Sequence, residues 1–105
     1  MLILVSTFPN DGRKLKNFIL WLIKSWMAKC VNRINYVKSY YMREWKLKNE
    51  QEKILLIKLP EWNKEKVIWY FKKNHPHQTP EMLWIKPDDV NPEYLKWING
   101  LQITN

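Results

Sequence analysis

The run Leu2 to Thr7 is short, apolar and β-branched, and it predicts a buried strand. Pro9-Asn10-Asp11-Gly12 then predicts a turn, with Asn10 or Asp11 placed to cap a following helix. Leu15, Phe18, Ile19, Leu22 and Trp26 recur at helical spacing, while Lys14, Lys16, Asn17 and Lys24 fall mostly off that stripe. This pattern predicts an amphipathic helix over residues 12–27. Cys30 to Met42 contains no Gly or Pro and holds Val, Ile and three Tyr, the composition of a long strand. The charged stretch Glu44 to Asn49 is expected to turn the chain, and Glu52 to Leu59 to return as a second strand. The two strands would pair as a hairpin, and Pro60 would stop the ladder.

Glu61 to Asn74 carries Val67, Ile68 and Phe71 on one side and predicts a second helix. Lys72 and Lys73 suit the negative end of its dipole. Met82 to Lys86 is a short strand. Asn91-Pro92-Glu93 is a strong helix start, Tyr94, Leu95, Trp97, Ile98 and Leu101 follow it, and Gly100 marks the expected end. The resulting order is β-α-β-β-α-β with a C-terminal helix. That order predicts an α+β, ferredoxin-like sandwich forming a single domain over residues 1–105. Such a fold hosts many functions and selects none of them.

Composition changes the picture in two places. Seven Trp, five Tyr and three Phe are a heavy aromatic load for 105 residues. Each aromatic can bury roughly 150–250 Å², more than a small monomer can hide, so self-association is expected. The formal net charge of +8 raises a nucleic-acid or anionic-membrane partner. Against this, the lysines are spread along the chain, with local pairs only at Lys14/Lys16 and Lys72/Lys73. A bias toward Lys, Asn and Ile is the simpler source of the charge, and a nucleic-acid partner is not expected. A single Cys excludes an internal disulfide framework and fits a reducing compartment. Met1 to Val5 is too short for a signal-peptide core, and Phe18 to Met27 is too short to span a bilayer. The expectation is a cytoplasmic protein without a membrane partner.

Two stretches carry the most chemistry: Ala28-Lys29-Cys30-Val31-Asn32 and His75-Pro76-His77-Gln78-Thr79-Pro80-Glu81. Together with Thr7-Phe8-Pro9, Ser39-Tyr40-Tyr41, Lys46-Leu47, Glu50, Glu52, Lys58 and Tyr94-Leu95-Lys96-Trp97, their order and spacing resemble the CutA family of divalent-cation tolerance proteins. The resemblance runs from Thr7 to Ile98. It implies a homotrimer with long hairpins packing across subunits, related in form to PII-type signalling trimers. It also implies a link to copper and other divalent metals, with no enzymatic reaction. The chain departs from the family pattern at three places. His77 stands where a Tyr usually follows His-Pro, Arg43 and Trp45 replace a Trp and a Gly in the hairpin, and Leu59 replaces a Thr. A Trp at a glycine position is expected to rebuild the hairpin tip.

Cys30, His75 and His77 are the candidate metal ligands, with Met27, Met42 and Met82 as weaker ones. Thiolate, thioether and imidazole together favour copper over magnesium or calcium. One chain lacks a closed tetrahedral set, so an interface between subunits would have to complete it. The bland alternatives are a buried structural thiol and a histidine that caps a helix. Glu52, Lys58 and Glu81 lie in or beside strands, where charges are seldom left unpaired. They are candidates for an inter-subunit polar cleft, either as an ion-pair network or as a small-ligand site. Tyr40, Tyr41, Trp45 and Trp97 are expected to pack in the trimer, with a stacking surface for single-stranded nucleic acid as the alternative. A Cys30–His75 nucleophile pair lacks an orienting residue and an oxyanion motif, so catalysis is not expected. Three readings remain open: a copper-tolerance module, a PII-like scaffold or small-ligand protein without a metal, and a basic nucleic-acid binder.

Overall fold

A computed structural model describes residues 1–100. Its elements are β1 (Leu2–Pro9), α1 (Gly12–Lys24), β2 (Cys30–Arg43), β3 (Lys46–Leu59), a single 3₁₀ turn (Glu61–Asn63), α2 (Lys64–Asn74), β4 (Leu83–Ile85) and α3 (Pro92–Ile98). The four strands form one antiparallel sheet in the order β2-β3-β1-β4. This is the expected ferredoxin-like α+β arrangement. Leu101, expected as the last apolar position of the terminal helix, lies outside the described residues.

Alternation on β1 decides which face is buried. Leu2, Leu4, Ser6 and Phe8 point inward, opposite Leu59, Ile57 and Leu55 of β3. Leu15, Phe18 and Leu22 of α1 and Val67, Tyr70 and Phe71 of α2 close the core over that face. Phe18 is the centre of an aromatic cluster, with ring centroids 5.2 Å from Phe8, 4.8 Å from Tyr70 and 5.0 Å from Phe71. The Tyr70 hydroxyl donates to the Phe18 carbonyl at 3.0 Å and so ties the two helices together. Burial pushes that phenol up to about 12.

The opposite face of the sheet is apolar and only partly covered. Ile3, Val5, Ile54 and Leu56 are half-buried there, and Ile34, Leu83 and Ile85 are exposed. α3 reaches only one corner of it, where Lys58 Nζ lies 5.8 Å from the centre of the Tyr94 ring.

The cap of α1 is Asp11, whose Oδ1 accepts from the Lys14 amide at 3.2 Å. The helix ends at Lys24, three residues short of expectation. Trp26 leaves the stripe, sits at φ 64° and is 72 % exposed. It occupies the left-handed position that usually falls to Gly after a helix. Its amide bonds to the Ile23 carbonyl at 3.1 Å, and the Ala28 amide to that of Leu22 at 3.1 Å. Buried Asn63 secures this exit by donating to the carbonyls of Trp26 and Met27 at 3.1 and 3.2 Å. α3 begins as expected, with Asn91 accepting from the Glu93 amide at 3.0 Å, and Gly100 at φ 85° follows its end.

The hairpin corrects the sequence reading most. Residues 44–49 do not form a broad turn. β2 and β3 continue to Arg43 and Lys46, which face each other across a two-residue turn of Glu44 and Trp45. Lys46 to Gln51 extend β3 beyond its last pair with β1, Pro9↔Glu52, and project as an arm. Both faces of that arm meet water, so the charge that looked like a loop is a solvated strand. The arm starts at a bulge, where Asn35 and Tyr36 together oppose Lys53 between the Ile34 and Val37 pairs. Both tip residues have positive φ, 51° at Glu44 and 65° at Trp45, as a tight hairpin turn demands.

Trp45 is 95 % exposed and keeps a left-handed backbone that its Cβ disfavours. Trp45→Gly is therefore expected to raise stability by about 1 kcal/mol. Urea unfolding at fixed protein concentration measures it through an increased midpoint at unchanged slope.

Candidate functional site

Two consecutive residues of β1 hold the segment between α2 and β4 in place. His75 follows the last turn of α2, its amide bonded to the Phe71 carbonyl at 2.9 Å. Its ring is 8 % exposed and belongs to the aromatic cluster, stacked on Phe71 at 5.7 Å and edge-on to Phe8 at 5.1 Å. His75 Nε2 lies 2.8 Å from the Thr7 carbonyl, and Nδ1 accepts from the His77 amide at 3.0 Å. A carbonyl at Nε2 and an N–H at Nδ1 require the neutral ring with its proton on Nε2. At the far end of the segment, the Ser6 hydroxyl donates to the Glu81 carbonyl at 2.6 Å.

His77, Gln78, Thr79 and Glu81 of this segment face the hairpin arm across a pocket of about 550 Å³. The arm contributes Tyr41 and Arg43 from β2 and Glu50 and Glu52 from β3. These alternate along their strands and share one face, since Ser39 pairs with Glu50, Tyr41 with Lys48 and Arg43 with Lys46. The Tyr41 hydroxyl donates to Glu50 Oε1 at 2.5 Å, and that carboxylate pushes the phenol pKa up. Arg43 lies against the Tyr41 ring, 5.8 Å from its centre. Three carboxylates against one guanidinium make the pocket acidic in a chain whose net charge is +8.

The expected ligands therefore separate. His75 has both nitrogens engaged within the chain, and its ring positions the His77 backbone. His77 is exposed on the pocket. Cys30 is half-buried at the start of β2, paired with Lys58, which in turn pairs with Ile3. Ile3 lies four residues from Thr7 along β1, roughly 13 Å at about 3.3 Å per residue. Cys30 is thus at the far end of the sheet from the two histidines. Among the described residues, no group of three or more His, Cys, Asp and Glu side chains could hold a metal ion.

Of the expected polar cleft, Glu52 and Glu81 meet in the pocket. Lys58 does not, because it shares the distant end with Cys30. The four aromatics expected in packing are also distributed. Tyr41 lines the pocket and Tyr40 is exposed on the arm's other face. Trp45 is at the tip, and Trp97 lies on α3 with Lys29 Nζ 5.2 Å from its ring centre. Sequence reasoning missed Arg43 and Glu50 as pocket residues. Period-two alternation would have placed Glu50 with Glu52 and Arg43 with Tyr41, had the arm been recognised as strand.

Burial lowers the His75 pKa below its ordinary 6.5, and His77 nearby adds to this, while the Thr7 hydrogen bond and Glu52 oppose it. As pH falls through about 6.5, the unfolded chain takes up a proton that the native ring refuses, so stability drops. Above that pH the contribution is complete. His75→Gln is expected to flatten the part of the stability profile between pH 7 and the lower native pKa (6.5 being the unfolded reference). At pH 7.5 it is expected to cost about 2 kcal/mol through the disturbed Thr7 and His77 backbone groups. Denaturant titrations of both proteins across this range check the sign.

The CutA1 divalent ion tolerance protein family matches residues 2–100. The divalent-cation tolerance protein CutA of Yersinia pestis (strain Pestoides F) is 31 % identical over 99 residues, covering 94 % of this chain and 82 % of its own length. The crystal structure of CutA1 from Pyrococcus horikoshii superposes with a TM-score of 0.85 at 32 % identity, over 93 % of this chain and 94 % of that one. The PII-like protein CutA from Nostoc sp. PCC 7120, in apo form, shares the fold with a TM-score of 0.86 at 24 % identity, over 95 % of each chain. The chain belongs to the CutA1 divalent ion tolerance family.

Proposed function

We propose that this protein is a non-catalytic, homotrimeric divalent-cation-binding module serving metal tolerance in the cytoplasm. The observation that carries the reading is the acidic pocket between the arm and the 76–81 segment, with His77, Glu50, Glu52 and Glu81 on its walls. Imidazole nitrogen and carboxylate oxygen suit a borderline divalent cation such as copper or zinc. In this reading a second subunit supplies the remaining donors. The partly bare apolar sheet face and the projecting arm support self-association. The single free thiol, Cys30, agrees with a reducing compartment and stands outside the cation site.

A second reading rests on Arg43. A guanidinium on the pocket wall favours a small anionic or zwitterionic ligand, as in a PII-like signalling or scaffold protein without a metal. The name of the Nostoc relative agrees with that alternative.

A competitive copper titration against a chelator of known affinity, with mass followed by light scattering, separates the two. The expected result is a trimer that binds copper stoichiometrically. His77→Ala and Glu52→Gln/Glu81→Gln should each weaken binding at least about tenfold, and Cys30→Ala should leave it unchanged. A trimer that yields all its copper to a modest chelator would remove the metal reading and leave the small-ligand one.

A further inference from the structure

The lysines that are dispersed in sequence are gathered by the fold. α1 carries four cations and no acid, and α2 carries four cations and one acid. The two helices therefore hold seven of the eight formal net charges, all on the layer opposite the partly bare sheet face. Between them lies a groove of about 320 Å³, floored by Phe8, Phe18 and Tyr70 and edged by Lys14, Asn17 and Asn74.

Helix geometry extends the edges of that groove. Lys14, Asn17 and Trp21 share one flank of α1 at i, i+3 and i+7. Tyr70 bonds to α1 through the Phe18 carbonyl, so its flank of α2 faces the same groove. Lys66 and Lys73 lie on that flank, one turn before and one turn after Tyr70. Trp21 and Trp69 remain 58 % and 56 % exposed on this layer. An exposed indole leaves apolar area in water and recovers part of that cost by stacking on a flat unpaired base.

We propose that the α1–α2 groove binds single-stranded nucleic acid, with phosphates on Lys14, Lys66 and Lys73 and an unpaired base stacked on Trp21. Cations lining a track and aromatic platforms beside it are the two elements that sequence-tolerant single-strand binding requires. An anionic membrane would be met by the same charge, but insertion into its interface needs a contiguous apolar helix face. Those faces, Leu15, Phe18 and Leu22 on α1 and Val67, Tyr70 and Phe71 on α2, are spent in the core. The inference is independent of the cation site, which uses other residues.

Fluorescence anisotropy of a labelled oligothymidylate of about 20 nucleotides, titrated between about 50 and 200 mM salt, tests it. For Lys14→Ala/Lys66→Ala/Lys73→Ala the slope of log affinity against log salt should shrink by about two, near 0.7 per lost phosphate contact. Trp21→Ala should cost about tenfold in affinity at an unchanged slope. Lys46→Ala/Lys48→Ala on the arm should alter neither, and circular dichroism should find every variant folded. The proposal is overturned if the arm variant weakens binding as much as the groove variant, since bulk charge would then suffice. It is equally overturned if Trp21→Ala has no effect, if a duplex of the same length binds as tightly, or if phosphatidylserine vesicles bind while the oligonucleotide does not.

Discussion

The candidate site depends on one neutral imidazole. His75 fills an aromatic core position against Phe8, Phe18 and Phe71, yet it carries two polar atoms into that core. Each atom finds a backbone partner, Thr7 on one side and His77 on the other. A buried ring satisfied in this way stabilises the packing, whereas the same ring protonated would bring two donors to a place with one acceptor. Because the partners belong to β1 and to the segment after α2, the interaction joins the sheet, the second helix and one wall of the pocket.

Charge is sorted by architecture rather than by local sequence. The acidic pocket draws Glu50 and Glu52 from one strand and Glu81 from a distant loop, although all lie in a strongly basic chain. The helix layer does the reverse, collecting cations from two helices separated by the whole hairpin. The two regions differ in the sign of most of their charged side chains, so net charge alone describes neither.

The sequence made the core legible where periodicity was enforced by burial. β1 alternates without error, and the stripe Leu15, Phe18, Leu22 is buried as its spacing requires. Legibility failed where burial stopped. The charged end of the arm meets water on both faces, so no apolar alternation marked it and Lys46 to Asn49 passed for part of a turn. Trp26 matched the helical spacing but followed the helix end, because spacing does not register a change to positive φ. Within the site, Glu52 and Glu81 of the expected polar cleft share a pocket with His77 of the expected ligand set, while Lys58 lies apart. Grouping His75 with Cys30 relied on their chemistry, and only strand register places them at opposite ends of β1.

The bulge at Asn35 and Tyr36 has a bearing on solubility. β2 is an edge strand of 14 residues, and the outward row of amides and carbonyls on such a strand invites another chain to add itself. Displacing two residues against one breaks that row near its middle and increases the local twist, so a straight incoming strand cannot follow it from end to end. Arg33, Lys38 and Arg43 place like charges on either side of the break. The irregularity that launches the arm thereby also guards the sheet against open-ended growth into fibres.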